Sequence, residues 1–340
     1  MPAGLDVAAS DAEKAEGTLD CGGFVRLGGE RPKPRLRRLA CGLAAAAAVL
    51  LAAGCSGSSA PSAGTGTAGP SAGTGTAGLS PGGHQYESFT SYPGWIQASI
   101  PPDKFNFAPY TVISDFGLDP TLTGGICLCD LDSLSNITAV VAAAHNAGKT
   151  VIMAIGEVNE GNYFASAASP QHRATFISNI VSFVSRYGFD GVDVDWEEQV
   201  PQNQADYIAL VKGLRSALNA EFPGKSMYLS ADVDVGEIPP DIAAQIAPYV
   251  NSLNMETFQD NGVSSVAAYT QAGIPASKLL LGIGVASNYY DTTEARVAAK
   301  VKYVEDHGLK GTLLWQPGYL NTYRTDPRLN PLLAMLNSSG

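Results

Sequence analysis

The chain is poor in residues that bind metals or form crosslinks: four histidines and five cysteines are scattered through 340 residues. Charged residues make up only 16%, and 21 Lys and Arg face 32 Asp and Glu, for a net charge of −11 at pH 7. Nucleic-acid binding needs a basic footprint that displaces counterions from phosphate, so this balance excludes nucleic acid as a partner. Long apolar runs are nearly missing too. The single one, alanine-rich, lies between Leu39 and Ala53, and it excludes a polytopic membrane protein. Also missing is a Gly-rich phosphate turn after a first strand, the usual mark of an open doubly wound sheet. Hydrophobic residues, in contrast, form 45% of the chain, enough for a sizeable core and too much for wholesale disorder. The length suits two average domains or one large α/β barrel.

Residues 1–54 hold seven Lys or Arg and six Asp or Glu, which leaves 14 and 26 for the remainder. Arg31, Lys33, Arg35, Arg37 and Arg38 stand directly ahead of the apolar run. Basic, then apolar, then small is the order of an export signal. The run ends Leu51-Ala52-Ala53-Gly54-Cys55, which resembles a bacterial lipobox with Ala52 where Leu is usual. That resemblance implies cleavage before Cys55, lipid on the new N-terminal cysteine, and membrane attachment through that lipid alone. A plain signal cut near Ala53 and an uncleaved anchor are the alternatives, so the product is a cell-surface lipoprotein or a secreted protein. Residues 1–30 have no role in such a signal and point to a start codon assigned too far upstream.

Residues 55–83 are a spacer. After Cys55 they carry no charge, and the nine residues P-S-A-G-T-G-T-A-G occur twice in tandem, at 61–69 and 70–78. Such a composition has nothing to bury and behaves as a flexible linker. Beyond it only Cys127 and Cys129 remain. A bridge between two cysteines only two apart on an extended run would be strained, and no second Cys/His cluster accompanies them. Two unbridged thiols are expected, and no metal or other cofactor is implied.

Residues 84–340 number 257, close to the ~250 typical of a (β/α)8 TIM barrel. Strand-like apolar runs fall at Phe89–Trp95, Thr111–Leu118, Thr150–Gly156, Gly191–Glu197, Met227–Val233, Tyr249–Glu256, Lys278–Val285 and Gly311–Gln316. Helical periodicity separates most of them. Phe176, Ile177, Ile180, Val184 and Tyr187 form one apolar face, and Tyr207, Ile208, Val211, Leu214 and Leu218 another. This alternation predicts parallel βαβ units. Pro93 and Gly94 interrupt the first strand, which sets its end in doubt.

The most informative segment is Asp190-Gly-Val-Asp193-Val-Asp195-Trp196-Glu197. On a strand alternate residues share a face, so Asp193, Asp195 and Glu197 lie opposite Val192, Val194 and Trp196. In a barrel the apolar face packs under the helices and the acids point inward. Crowded carboxylates raise one another's pKa, so the outermost, Glu197, is kept protonated and able to donate. Protonating a leaving oxygen is what glycoside cleavage requires. A retaining scheme also needs a nucleophile, for which Glu157 and Glu256 at strand ends are candidates. A nucleophile supplied by the substrate is the alternative.

At these residues the chain resembles glycoside hydrolase family 18, the chitinases and endo-β-N-acetylglucosaminidases. The family pattern D-x-x-D-x-D-x-E is intact as Asp190, Asp193, Asp195 and Glu197. Lys278–Gly284 is similar to the family's seventh strand, and Leu313-Leu314-Trp315 to its eighth. The resemblance implies a substrate-assisted retaining mechanism. Glu197 would protonate the glycosidic oxygen while the acetamido carbonyl attacks the anomeric carbon. Asp195 would steady the resulting cation, Asp193 would share its proton, and Trp315 would floor the sugar. Asp190, Glu157, Met255 and Glu256 complete the expected substrate-binding set.

Two departures stand out. Ala154-Ile155-Gly156-Glu157 replaces the family's S-x-G-G, and alignment of the sixth strand puts Met255 where a tyrosine holds the acetamido group, or Thr257 in a second register that starts at Met255. Tyr163, Tyr289 or Tyr290 could supply that hydroxyl from a loop. The expected partner is an N-acetylglucosamine-containing oligo- or polysaccharide, acted on by an exported monomeric hydrolase. A sugar-binding surface protein with weak or lost catalysis is the alternative.

Overall fold

The computed structural model describes residues 85–128, 132–156, 163–196 and 200–338. Within them, eight parallel strands form a closed barrel: β1 (Glu87–Pro93), β2 (Val112–Pro120), β4 (Thr150–Gly156), β5 (Gly191–Asp195), β6 (Tyr228–Val233), β7 (Ser252–Met255), β8 (Leu279–Gly284) and β9 (Gly311–Trp315). Each strand pairs with its neighbour in chain order, and β1 pairs with both β2 and β9 to close the ring. The fold is the (β/α)8 TIM barrel.

Helices α1 (Leu134–Asn146), α3 (Arg173–Tyr187), α4 (Gln204–Glu221), α5 (Pro240–Ile246), α6 (Val263–Gln271), α7 (Glu294–His307) and α8 (Asn330–Ser338) link or follow the strands, with a short α2 (Tyr163–Ala167). Their buried faces follow helical spacing: Phe176, Ile180 and Val184 on α3, and Tyr207, Val211, Leu214 and Leu218 on α4. Ser133 and Thr293 accept hydrogen bonds from Asn136 N and Arg296 N, capping α1 and α7. Gly188, with φ of 77°, ends α3 in the left-handed conformation. None of the helices among the described residues is long and apolar enough to cross a membrane. The run Leu39–Ala53 and Cys55 lie outside those residues.

The hydrophobic core divides in two. The large part lies between strands and helices and includes Ile113, Ile155, Val192, Val194, Trp196, Leu229, Leu253 and Met255. The small part plugs the barrel interior with Phe89, Val112, Ile152, Tyr228, Leu280 and Leu313. Strand alternation sends successive residues to one or the other.

Two local expectations need correction. The first strand stops at Pro93, and Gly94–Ile96 forms a 3-10 turn instead of extending it. Proline there offers no N–H for a further ladder bond. Residues Ile126–Cys127 form a short strand, β3, antiparallel to the end of β2. Cys127 is buried and disulfide-bonded, so the expected free thiol is not found; its partner lies outside the described residues.

Candidate active site

The acid face of β5 points into the barrel as alternation requires. Asp193 is fully buried and accepts three hydrogen bonds from across the interior. Ser114 Oγ on β2 donates at 3.1 Å, Ser230 Oγ on β6 at 2.6 Å, and Asn254 Nδ2 on β7 at 3.1 Å. Burial pushes its carboxyl up to about 6, against the opposing pull of the two serine hydroxyls. The other face of the strand is apolar throughout. Trp196 is sandwiched in the outer core, stacked on Phe164 at 5.0 Å and edge-on to Tyr207 at 5.8 Å. That packing fixes the twist of the chain as β5 ends and so fixes where the acids aim.

Asp195 stands one step nearer the C-terminal mouth, where barrel active sites lie. Its carboxylate meets those of Asp232 on β6 and Glu256 just after β7, with one oxygen of each within 4.8 Å of the others. Asn254 Nδ2 also donates to Asp232 Oδ1 at 2.7 Å, so a single amide ties Asp193 to Asp232. Carboxylates this close repel one another unless a cation joins them. The three could supply part of a hard-cation shell, whose remaining oxygens would have to come from elsewhere.

Opposite the acids the mouth is aromatic. Trp315, half-buried at the end of β9, meets Phe116 of β2 at 5.9 Å, Phe258 at 6.4 Å and Trp95 at 6.4 Å. Tyr289 stacks on Phe258 at 5.8 Å and meets the exposed Tyr319 edge-on at 6.4 Å. A sugar ring with its axial C–H face needs such a surface beside its polar edge. Trp315 therefore lies at the mouth rather than within the outer core.

The structure separates the residues expected to act together. Asp193, Asp195 and Glu256 converge, and Trp315 faces them across the mouth. Met255 does not join them: it is buried in the outer core, because β7 turns Ser252, Asn254 and Glu256 inward and Leu253 and Met255 outward. The next residue, Glu256, takes the inward place instead. Asp190 does not join them either. It sits before β5, at the opposite end of the barrel, accepting from Val151 N at 2.9 Å and paired with His145 Nε2 at 3.0 Å. Its role is to fasten β4 to β5, so its inclusion among substrate-binding residues is corrected. Glu197 and Glu157 lie outside the described residues.

Asp232 was missed. The signal was available, since Tyr228, Ser230 and Asp232 share one face of a predicted strand. Nothing in the local pattern, however, says which face that strand turns inward. Of the three tyrosines considered, Tyr289 reaches the mouth, Tyr290 lies under the Arg296 guanidinium at 4.8 Å, and Tyr163 begins α2.

Comparison with known proteins gives the family and the fold. The family described as glycosyl hydrolases family 18 matches residues 104–296, more than half of the chain. A chitinase-like effector of Moniliophthora perniciosa is 26% identical over 246 residues, covering 60% of this chain and 56% of its own. The chain thus spans little more than half the length of that curated relative. A chitinase from Rhizomucor miehei superimposes with a TM-score of 0.61 at 22% identity, over 73% of this chain and 99% of its own. Human YKL-39, described as a pseudo-chitinase with retained chitooligosaccharide binding, does so with a TM-score of 0.64 at 15% identity, over 74% and 100%. Likeness at these identities speaks to the fold.

Proposed function

The chain belongs to glycosyl hydrolases family 18, and from that premise we propose that it hydrolyses β-1,4 bonds of N-acetylglucosamine oligo- and polysaccharides. The observation that carries this reading is the meeting of Asp193, Asp195, Asp232 and Glu256 beneath an aromatic wall at the C-terminal mouth. In this reading Glu197 donates its proton to the glycosidic oxygen, and the substrate's acetamido oxygen attacks the anomeric carbon from the other side. Asp195 accepts from the acetamido N–H and balances the positive charge of the oxazolinium-like ion. Asp193, with its raised pKa, takes up or returns the proton that Asp195 exchanges during the cycle. Water then opens the ring with Glu197 as base, so the anomeric configuration is retained. Trp315 floors the reacting sugar, and Glu256 stands at its acetamido edge.

A second reading has its own observation. Met255, which the resemblance aligns with the family's tyrosine, is buried in the outer core and carries no hydroxyl, and this favours sugar binding with weak or lost turnover. The two readings separate in one experiment. The full chain and its Glu197→Gln variant are incubated with chitotetraose and chitopentaose, and products and binding are both measured. Shorter oligomers from the parent alone support the hydrolase. Binding by both without products supports the sugar-binding protein, and neither binding nor products removes both readings for chitin oligomers.

Export is part of the same proposal, supported by the basic block, the apolar run and Cys55. Palmitate labelling that disappears in Cys55→Ser is the expected result for a lipoprotein; release of unlabelled protein into the medium would favour plain secretion.

A further inference from the structure

Strands β7 and β8 stop pairing before they reach the mouth. Their register runs Leu253 with Leu279, Asn254 with Leu280 and Met255 with Leu281, and ends there. Strand β8 continues to Gly284, paired only with β9 on its other side. The backbone carbonyls of Thr257 and Gly282 thus face a gap in the wall next to Glu256, bridged from within only by Thr257 Oγ1 donating to Gly282 O at 3.2 Å.

Lys300 of α7 fills the gap. Its ammonium donates to Thr257 O at 2.7 Å, to Gly282 O at 2.6 Å and to Asp291 Oδ2 at 2.8 Å, which uses all three of its protons. Asp291 in turn accepts from Gly284 N at 3.0 Å, so the same carboxylate holds the end of β8. Lys300 is 2% exposed and Asp291 0%. Burial drives Lys300 down and Asp291 up, and their pairing pulls each back towards its charged form.

The clamp works at short range because the wall is narrow here. A Cβ on Gly282 would come within 2.3 Å of Met255 O, and one on Gly284 within 2.7 Å of Phe258 Cβ. Tyr290 N donates to Phe258 O at 2.9 Å and Asp291 N to Gly284 O at 3.1 Å, joining the loop after β8 to the loop after β7. The segment so held carries Glu256 towards Asp195 and Asp232, and Phe258 against Trp315. A buried charge pair in a sheet gap is costly unless its charges are bonded; the ammonium is fully bonded, and Asp291 takes both of its bonds on Oδ2 while Oδ1 is buried without one. A hydrocarbon pair of similar volume would close the gap without binding the two carbonyls.

We infer that Lys300, with Asp291, is the positioning residue that sets Glu256 and Phe258 in the active site by replacing the missing ladder bonds between β7 and β8. The catalytic consequence rests on the hydrolase reading above, whereas the structural one does not. Lys300→Met alone strands a buried carboxylate and invites unfolding, so the informative protein is the full chain carrying Lys300→Met with Asp291→Leu. Three quantities are measured on it and on the parent: Tm, amide exchange in peptides covering 255–260 and 282–292, and kcat and KM on chitotetraose.

The expected result is a Tm near the parent's with exchange about tenfold faster in those peptides and unchanged elsewhere in the barrel. With it kcat falls about tenfold or more, because a small displacement of a positioned group is expensive, while KM moves less. Parental exchange in these peptides would overturn the clamp. Faster exchange with parental kcat would overturn its role in positioning and leave a stabilising ion pair. If the parent itself releases no product, the hydrolase reading falls, and the exchange comparison still decides whether Lys300 holds the segment.

Discussion

The two sides of the barrel mouth are built from the same strand alternation and have opposite chemistry. On the side of β5, β6 and β7 the inward positions hold Asp193, Asp195, Asp232, Asn254 and Glu256: the Asn254 amide bonds Asp193 and Asp232, and carboxylate oxygens of Asp195 and Glu256 lie within 4.8 Å of one of Asp232. On the side of β9, β1 and β2 the mouth is formed by Trp315, Trp95 and Phe116, which touch through ring edges and faces. The acid side depends on each polar group having its partner, since a buried carboxyl left alone is costly. The aromatic side depends on room. Gly156 of β4 is where the two meet: a Cβ there would lie 2.7 Å from Phe116 Cζ and 3.0 Å from Asp195 Oδ2. In the proposed hydrolase one wall supplies the chemistry and the other a surface for a ring, so changes to the two should separate in kinetics.

The largest effect is expected on the acid side. In the hydrolase reading Glu197→Gln removes the proposed proton donor and should lower kcat by about 10³-fold with Tm and oligosaccharide binding retained; equal turnover would remove Glu197 from that role. Asp195→Asn keeps the shape and one acceptor oxygen but turns the other into a donor and loses the charge, and should lower kcat by about 10²-fold with little change in KM. Gly156→Ala presses on both walls at once. It should lower kcat and raise KM by about tenfold each, with Tm reporting the strain.

Effects on the aromatic side should fall on binding. Trp315→Ala is expected to weaken chitotetraose binding by about tenfold, in keeping with the roughly 0.5–1.5 kcal/mol of an aromatic contact plus lost burial. A fall in kcat alone would contradict the division of labour. The smallest effect concerns pH. The carboxyl of Asp193 is raised from 3.8 to about 6 by burial, so the folded state holds its proton more tightly than the unfolded chain. Its contribution to stability is therefore complete below pH about 4 and is lost as pH rises through about 6, amounting to at most about 3 kcal/mol. Tm should decline over that window, and Asp193→Asn should flatten the decline.

Much of this was legible in the chain. The acids of β5 were readable because a two-residue period is a local property, and Val192, Val194 and Trp196 left only one face for the core. The same period separates Asp190 from Asp193 and Asp195, since an odd spacing puts it on the other face. Its bonds to Val151 N and His145 bear this out. Met255 and Glu256 were harder. Both end a predicted strand, and which of them turns inward follows from the pairing of Met255 with Leu281 and Val233, residues distant in sequence. Asp232 and the Lys300–Asp291 clamp were unreadable for a similar reason: each owes its place to a neighbour brought up by barrel closure.

The sequence by itself determined the barrel, the inward aim of Asp193 and Asp195, and the family, because hydrophobic period and a tight motif are written within a few residues of one another. Only the tertiary structure decided that Glu256 and not Met255 faces the acids. It alone showed that Asp232 joins them, that Asp190 belongs to the opposite end, and that a buried lysine bridges the open seam. Those facts depend on the register between strands. Register is fixed by packing and hydrogen bonding across the ring, where residues far apart in the chain compete for the same space.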